Sequence, residues 1–227
     1  MIVSIHQPHF LPWLGFFEKV DRADVFILLD NVQFEKNGWQ NRNRIKGANG
    51  WQWLTVPVYQ RFPQTIAETM VNNTVDWRRK HWNGIVSNYS RAPYFHELRP
   101  PFEEAYRRSW DRLVDLNIHL LTVAFDLLGL HRRVCLASEY AASQTPSERL
   151  ADLCAAVGGD VYLAGEGGHT YLDLRPFEEK GIRVEFQQFQ HPVYPQLFGA
   201  FEAHLSVIDL LFNCGGQSLD IIRGRIR

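Results

Sequence analysis

Between Thr145 and Phe186 the sequence writes one pattern twice, and that pattern limits the fold more than any other feature. Thr145, Pro146 and Glu148 stand at the N-cap, N1 and N3 positions of a capping box. Leu150, Leu153, Cys154 and Val157 then keep helical spacing until Gly158-Gly159 ends the run. Val161 to Ala164 reads as a strand, Leu174 to Lys180 as a short helix closed by Gly181, and Ile182 to Phe186 as an alternating strand. Helices and strands alternating over short links predict an α/β fold.

The N-terminal segment carries the same signature. Met1 to Ile5 is β-prone, Leu14 to Val20 places Phe16, Phe17 and Val20 on one helical stripe, and Val25 to Leu29 is a continuous apolar strand ending in Asp30. Continuous apolar strands suit a sheet covered on both faces, and the short connection favours a βαβ crossover. The prolines of HQPHFLPW exclude regular structure between the first strand and the helix. Asn49-Gly50 turns the amide-rich stretch 31–46 into a hairpin with Trp51 to Tyr59, which would make the sheet mixed. Helices are expected over Trp77 to Tyr89, Pro101 to Leu130 with Gly129 as its stop, and Phe201 to Phe212. With no repeat and no linker, the expectation is one α/β domain over 1–227. Its sheet is mostly parallel, mixed at one side, with a crevice at the strand C-terminal ends and a helical insertion near 75–130.

Composition narrows the function. Lys plus Arg number 24 against 25 Asp plus Glu, a net charge of −1, which lacks the basic footprint of a nucleic-acid binder. No apolar run reaches the roughly 18 residues of a membrane span. The opening MIVSIHQPHF lacks the regions of a signal peptide, so a cytoplasmic protein is expected. Three scattered cysteines support neither a disulfide framework nor a zinc site, and no metal is expected. Aromatic residues reach 13%, many beside Pro, Asn, Gln and His, a mixture that builds small-molecule pockets as well as cores.

Several residues are candidates for chemistry. His6 directly follows the first strand, where α/β folds bind ligands, and its ordinary pKa suits proton transfer; the alternative is a loop histidine bonded to nearby backbone. Gln7, Trp13 and Gly15 share its loop, and a glycine near the helix start lets a substrate approach backbone amides. Asp30 closes the second strand and is either a second catalytic group or a turn-forming aspartate. Gln33, Trp39, Arg42, Asn43 and Lys46 follow, with Arg42 and Lys46 suited to phosphate; the alternative is an exposed polar hairpin. Gly165, Gly167, Gly168 and His169 resemble a phosphate loop without matching a known one. HPVYPQ holds His191, Tyr194 and Gln196 between prolines, and Asp209 sits on an apolar helix, where burial would demand a partner. Nucleophile motifs are absent, and Cys154 falls on an apolar helix face.

The opening HQPHFLPWLGFFEKVDRADVFILLDNVQFEKNGWQNRNRIK, with WLTVPV, YLAG, TYL, HPVYPQ and LSVIDLLFNCG after it, resembles the WbqC-like family of bacterial proteins. The family pattern also covers Pro12, Lys19, Ser206 and Asn213, with no catalytic role attached to any position. The resemblance implies surface-polysaccharide (O-antigen-type) biosynthesis. There the protein would be an acyl- or aminoacyl-transferase acting on the amino group of a nucleotide-linked deoxy sugar. The donor would be a thioester of coenzyme A or of an acyl carrier protein, used as co-substrate with no tightly bound cofactor. In such a reaction His6 would be the base, Asp30 its orienter or the acceptor's holder, and Asn43 or amides near Gly15 the oxyanion donors. Arg42 and Lys46 would grip the diphosphate and Trp39 would stack on sugar or base. A rival reading is a nucleotidylyltransferase of the HIGH superfamily using ATP or CTP, although His6-Gln7-Pro8-His9 lacks the glycine of that motif. The third is a non-catalytic binder of a sugar nucleotide or carrier protein.

Overall fold

The computed structural model describes residues 1–226. In chain order the elements are β1 (Ile2–His6), α1 (Leu14–Arg22), β2 (Val25–Leu28), β3 (Arg42–Gly47), β4 (Gly50–Thr55), β5 (Val58–Tyr59) and β6 (Met70–Val71). Then come α2 (Trp77–Tyr89), α3 (Phe95–Arg107), α4 (Leu113–Leu128), β7 (Arg133–Leu136), α5 (Pro146–Ala156) and β8 (Val161–Ala164). The chain finishes with α6 (Arg175–Glu179), β9 (Arg183–Phe186), α7 (Val207–Cys214) and α8 (Ser218–Ile222).

These elements form two compact units, each assembled from separate stretches of chain. The first holds Met1–Gln7, Gly15–Asn31 and His131–Gln190. It is an α/β unit whose five strands run in the order β7-β2-β1-β8-β9, every pair parallel. All four residues of β2 and of β8 are buried, as strands covered on both faces require. On one face Val3, Ile5 and Ile27 pack with Leu150, Leu153 and Cys154 of α5 and with Phe177. On the other, Phe16 of α1 meets Phe26 edge-on at 5.1 Å. Burial pushes the Cys154 thiol up to about 12, which fits an inert core cysteine.

The second unit holds Pro8–Leu14, Val32–Leu130 and the chain from His191 onward. β3 and β4 form an antiparallel hairpin that is a sheet of its own, so the five-stranded sheet stays purely parallel. The helical expectation for 101–130 resolves into two helices. Arg112 is extended, and its guanidinium grips Asp115 at the start of α4, while Gly129 stops α4 in the left-handed conformation at φ 69°. Asn117 on α4, completely buried, donates its amide to the Pro8 and Gln40 carbonyls, both at 2.8 Å.

Two local expectations are corrected, and one strand was not expected. Thr145 occupies the N-cap of α5 with Pro146 at N1, yet its side chain makes no capping bond. The Glu148 carboxylate accepts instead from the Ser143 hydroxyl at 2.8 Å, two residues upstream of the expected cap. The last long helix starts at Val207, capped by the Ser206 side chain, and residues 201–206 are irregular. β7 carries no strand signal in the sequence because two of its four residues are exposed at the sheet edge.

Candidate functional site

The candidate residues divide between the two units. In the α/β unit, β1 is where the sheet order reverses: β2 and β7 are laid on one side of it, β8 and β9 on the other. Open parallel sheets bind ligands beyond the carboxyl ends of the strands at such a point. His6 is the last residue of β1 and is half-buried there. Its Nδ1 donates to the Gln7 carbonyl at 3.0 Å, a contact that leaves Nε2 as the unprotonated nitrogen of the neutral ring. Phe16 lies edge-on to the imidazole at 4.9 Å.

Lys19 joins this end of the strand, although its sequence position carries no sign of a role. Its Nζ donates to the Ile5 carbonyl at 3.1 Å, one residue before His6, and the side chain is 3% exposed. Desolvation lowers the amine to about 7, with Glu18 opposing the shift. A Cβ on Gly165, just past β8, would stand in ordinary contact with Nζ at 4.0 Å, which places the amine beside this glycine. Only the spacing stands out: Phe16, Lys19 and Val20 share one helical stripe, and a lysine on an apolar stripe is out of place unless it works.

Gly15 and Asp30 have structural partners. The Gly15 carbonyl accepts from Gln187 Nε2 at 2.8 Å, and the same amide reaches Glu18 at 2.6 Å. Asp30 is buried, and its two oxygens accept from the Ser138 backbone N–H (3.0 Å) and hydroxyl (2.7 Å). These bonds tie the end of β2 to the end of β7, so the bonds of Asp30 orient Ser138, not His6.

In the second unit Asp209 is the centre of a buried network. One oxygen accepts from the Tyr89 hydroxyl (2.8 Å), the other from the Tyr194 hydroxyl (2.9 Å) and Gln196 Nε2 (2.8 Å). Gln196 Oε1 in turn accepts from Lys46 Nζ at 3.0 Å, and Lys46 also donates to the Ala200 carbonyl. Burial raises the Asp209 carboxyl above the usual range while these donors and the Lys46 charge pull it back. Lys46 is therefore spent inside the protein, 2% exposed, and offers no grip on a diphosphate.

Around the same segment, Trp13 stacks on His191 with centroids 6.3 Å apart and leans on His204 at 5.1 Å. His191 Nδ1 donates to the Pro192 carbonyl (2.8 Å) while Nε2 accepts from the His204 backbone N–H (3.1 Å). Nε2 accepts only in the neutral ring, and burial lowers its pKa, against the Pro192 bond that favours the charged form. Asn43 is likewise structural: its amide donates to the Phe10 and Leu11 carbonyls at 3.3 and 2.7 Å. Leu11 sits at φ 43°, costly for a side chain with a Cβ, and these bonds hold it there. Asn43→Ala is expected to cost about 2 kcal/mol in urea denaturation, because two buried carbonyls lose their donor.

Gln33 is exposed, its amide tied to the Phe34 carbonyl and its oxygen to the Gln64 backbone N–H. Trp39 and Arg42 lie at the open face of the β3–β4 hairpin. A surface cleft lined by Tyr59, Arg61, Gln64 and Glu68 contains none of the expected residues. Among the described residues no group of three or more His, Cys, Asp or Glu could hold a metal ion, and no helix is long and apolar enough to cross a membrane.

The chain is 38% identical over 225 residues to a protein of Mycobacterium tuberculosis named "Uncharacterized protein Rv1507c", with 97% of each chain covered. No solved structure matches it. The family model described as the WbqC-like protein family matches residues 7–221, a span that takes in the switch-point loop, the hairpin and the Asp209 network. With nearly the whole chain matched in both comparisons, this protein belongs to the WbqC-like family.

Proposed function

We propose that the protein is an N-acyl- or aminoacyl-transferase that modifies the amino group of a nucleotide-linked deoxyamino sugar for surface-polysaccharide biosynthesis. The donor is a coenzyme A or carrier-protein thioester. The observation that carries this reading is the geometry at the carboxyl end of the central strand, where Nδ1 of His6 is committed to the Gln7 carbonyl and the buried Lys19 amine, lowered to about 7, holds the Ile5 carbonyl. An amino sugar reaches the enzyme as an ammonium ion and must lose a proton before its nitrogen attacks the thioester carbonyl. His6 Nε2 takes that proton and passes it to solvent; the C–N bond forms, the C–S bond breaks, and the second proton shed by the nitrogen goes to the departing thiolate. Lys19, buried behind His6 on Ile5, acts as a positioning residue that holds the strand end. Asp30 and Asn43 take no part in the step, since their polar atoms are already bonded within the fold.

The test is mass spectrometry of a panel of dTDP-amino-deoxy sugars incubated with acetyl-CoA or an aminoacyl carrier-protein thioester, beside ATP and CTP reactions. An acyl increment on the sugar is expected, with turnover falling at least about 100-fold in His6→Ala. Pyrophosphate release from ATP or CTP without acylated sugar would replace this reading by nucleotidyl transfer. Turnover within a few-fold of wild type in His6→Ala would remove the base assignment.

A further inference from the structure

The β3–β4 hairpin has two unlike faces. Register places Arg44 opposite Trp53, Lys46 opposite Trp51 and Arg42 opposite Thr55, so these residues share one side. The opposite side carries Asn43, Ile45 and Leu54, all buried. On the first side Trp51 and Trp53 remain 44% and 37% exposed, and Trp39, whose ring centroid is 5.7 Å from that of Trp53, is 42% exposed. Large aromatic rings left this open in a cluster mark a contact surface.

The guanidiniums make the surface specific. Arg42 Cζ lies 4.2 Å from the Trp53 ring centroid, and Arg44 Cζ stands 5.2 Å from Trp51, 5.8 Å from Trp39 and 6.0 Å from Trp53. Arg44 donates to the His204 carbonyl, which fixes its direction. Neither arginine forms an ion pair with a carboxylate among the described residues. Stacking holds each fork in place without neutralising it, which leaves two oriented cations between exposed π-faces.

From this we infer that Trp39, Trp51 and Trp53 with Arg42 and Arg44 form the binding face for a nucleoside diphosphate. A planar base stacks on an indole, and the diphosphate meets the two guanidiniums in forked hydrogen bonds. Two cations match one diphosphate. A longer polyanion would need the wider basic field that a net charge of −1 does not provide. The inference rests on the nucleotide-linked substrate of the proposed function and adds three residues to the two expected from sequence. Binding is measured without any donor thioester, so its failure and the failure of acyl transfer are separate results.

Calorimetric titration, with tryptophan fluorescence quenching in parallel, would use dTDP, UDP and GDP, beside thymidine, inorganic pyrophosphate and a dT10 oligonucleotide. At least one diphosphate is expected to bind at least tenfold more tightly than thymidine and than pyrophosphate, and to quench the tryptophans. Arg42→Gln and Trp53→Leu should each weaken it tenfold or more. Arg42→Lys keeps the charge with the least disturbance and should weaken it several-fold. Unchanged affinity in Arg42→Lys and in folded Arg42→Gln would overturn the assignment. So would pyrophosphate binding as tightly as the diphosphates, no diphosphate binding, or preference for the oligonucleotide.

Discussion

Lys19→Met should give a more stable protein at pH 7, by roughly 2–4 kcal/mol, with the advantage shrinking by about 2 kcal/mol at pH 9. The cause is a buried amine whose proton leaves at about 7 in the folded state, against an ordinary value of 10.5. Between those values the unfolded chain holds the extra proton, so wild-type stability rises with pH across the window. Below pH 7 the penalty is complete; at about 1.4 kcal/mol per pH unit its ceiling is about 5 kcal/mol, from which the lost bond to Ile5 is subtracted. Methionine fills a similar volume without the charge. Urea denaturation of both proteins at pH 7 and pH 9 measures the difference directly. Equal stability with parallel pH profiles would mean that the amine is paired in solution. A folding cost of this size makes sense where a site needs the group, so the same variant should lose transfer while gaining stability.

Asp209→Ala works in the opposite direction, with an expected loss of roughly 3–5 kcal/mol. Tyr89, Tyr194 and Gln196 each lose a buried acceptor, and Lys46 loses a negative charge that it interacts with. Truncating one member of a buried charged network costs far more than the network contributes overall, because the remaining groups are stranded. Tyr194→Phe removes one donor and leaves Asp209 two others, so it should cost about 1 kcal/mol. A double-mutant cycle between positions 194 and 209 would give their coupling. A loss below about 1 kcal/mol for Asp209→Ala would mean that water reaches the carboxylate in its place.

Lys19 and Asp209 were both only partly legible in the sequence. Asp209 was conspicuous as a carboxylate on an apolar helix, and its partners Tyr194 and Gln196 were named from their own loop, but nothing local joins positions 89 and 46 to it. Lys19 hid because Phe16, Phe17 and Val20 already explained its helix. Continuous apolar runs such as Val25–Leu28 and Val161–Ala164 were legible, as was the helix Trp77–Tyr89. β7 was not, because an edge strand with solvent on one side needs no apolar pattern. At the start of the helix Pro146–Ala156 the reciprocal box is replaced by Ser143, whose Oγ accepts from the Thr145 N–H and whose hydroxyl donates to the Glu148 carboxylate. Trp51 and Trp53 announced a strand, but their exposure followed only from the pairing with β3 that puts Arg44 beside them. Asp30 and Asn43 have residue types that suit chemistry as well as scaffolding, and only their bonds to Ser138, Phe10 and Leu11 distinguish the two.

The central strand has a further consequence for how the protein is made. β1 is synthesised long before its neighbour β8, with Ser4 bonding to Leu163 across 159 positions. At roughly 5–20 residues per second, about 10–30 s pass before that edge can be covered. During this interval the nascent chain carries β1 and β2 with open backbone edges and apolar faces. Translation speed and chaperone supply would therefore govern the yield of active protein as strongly as its final stability does.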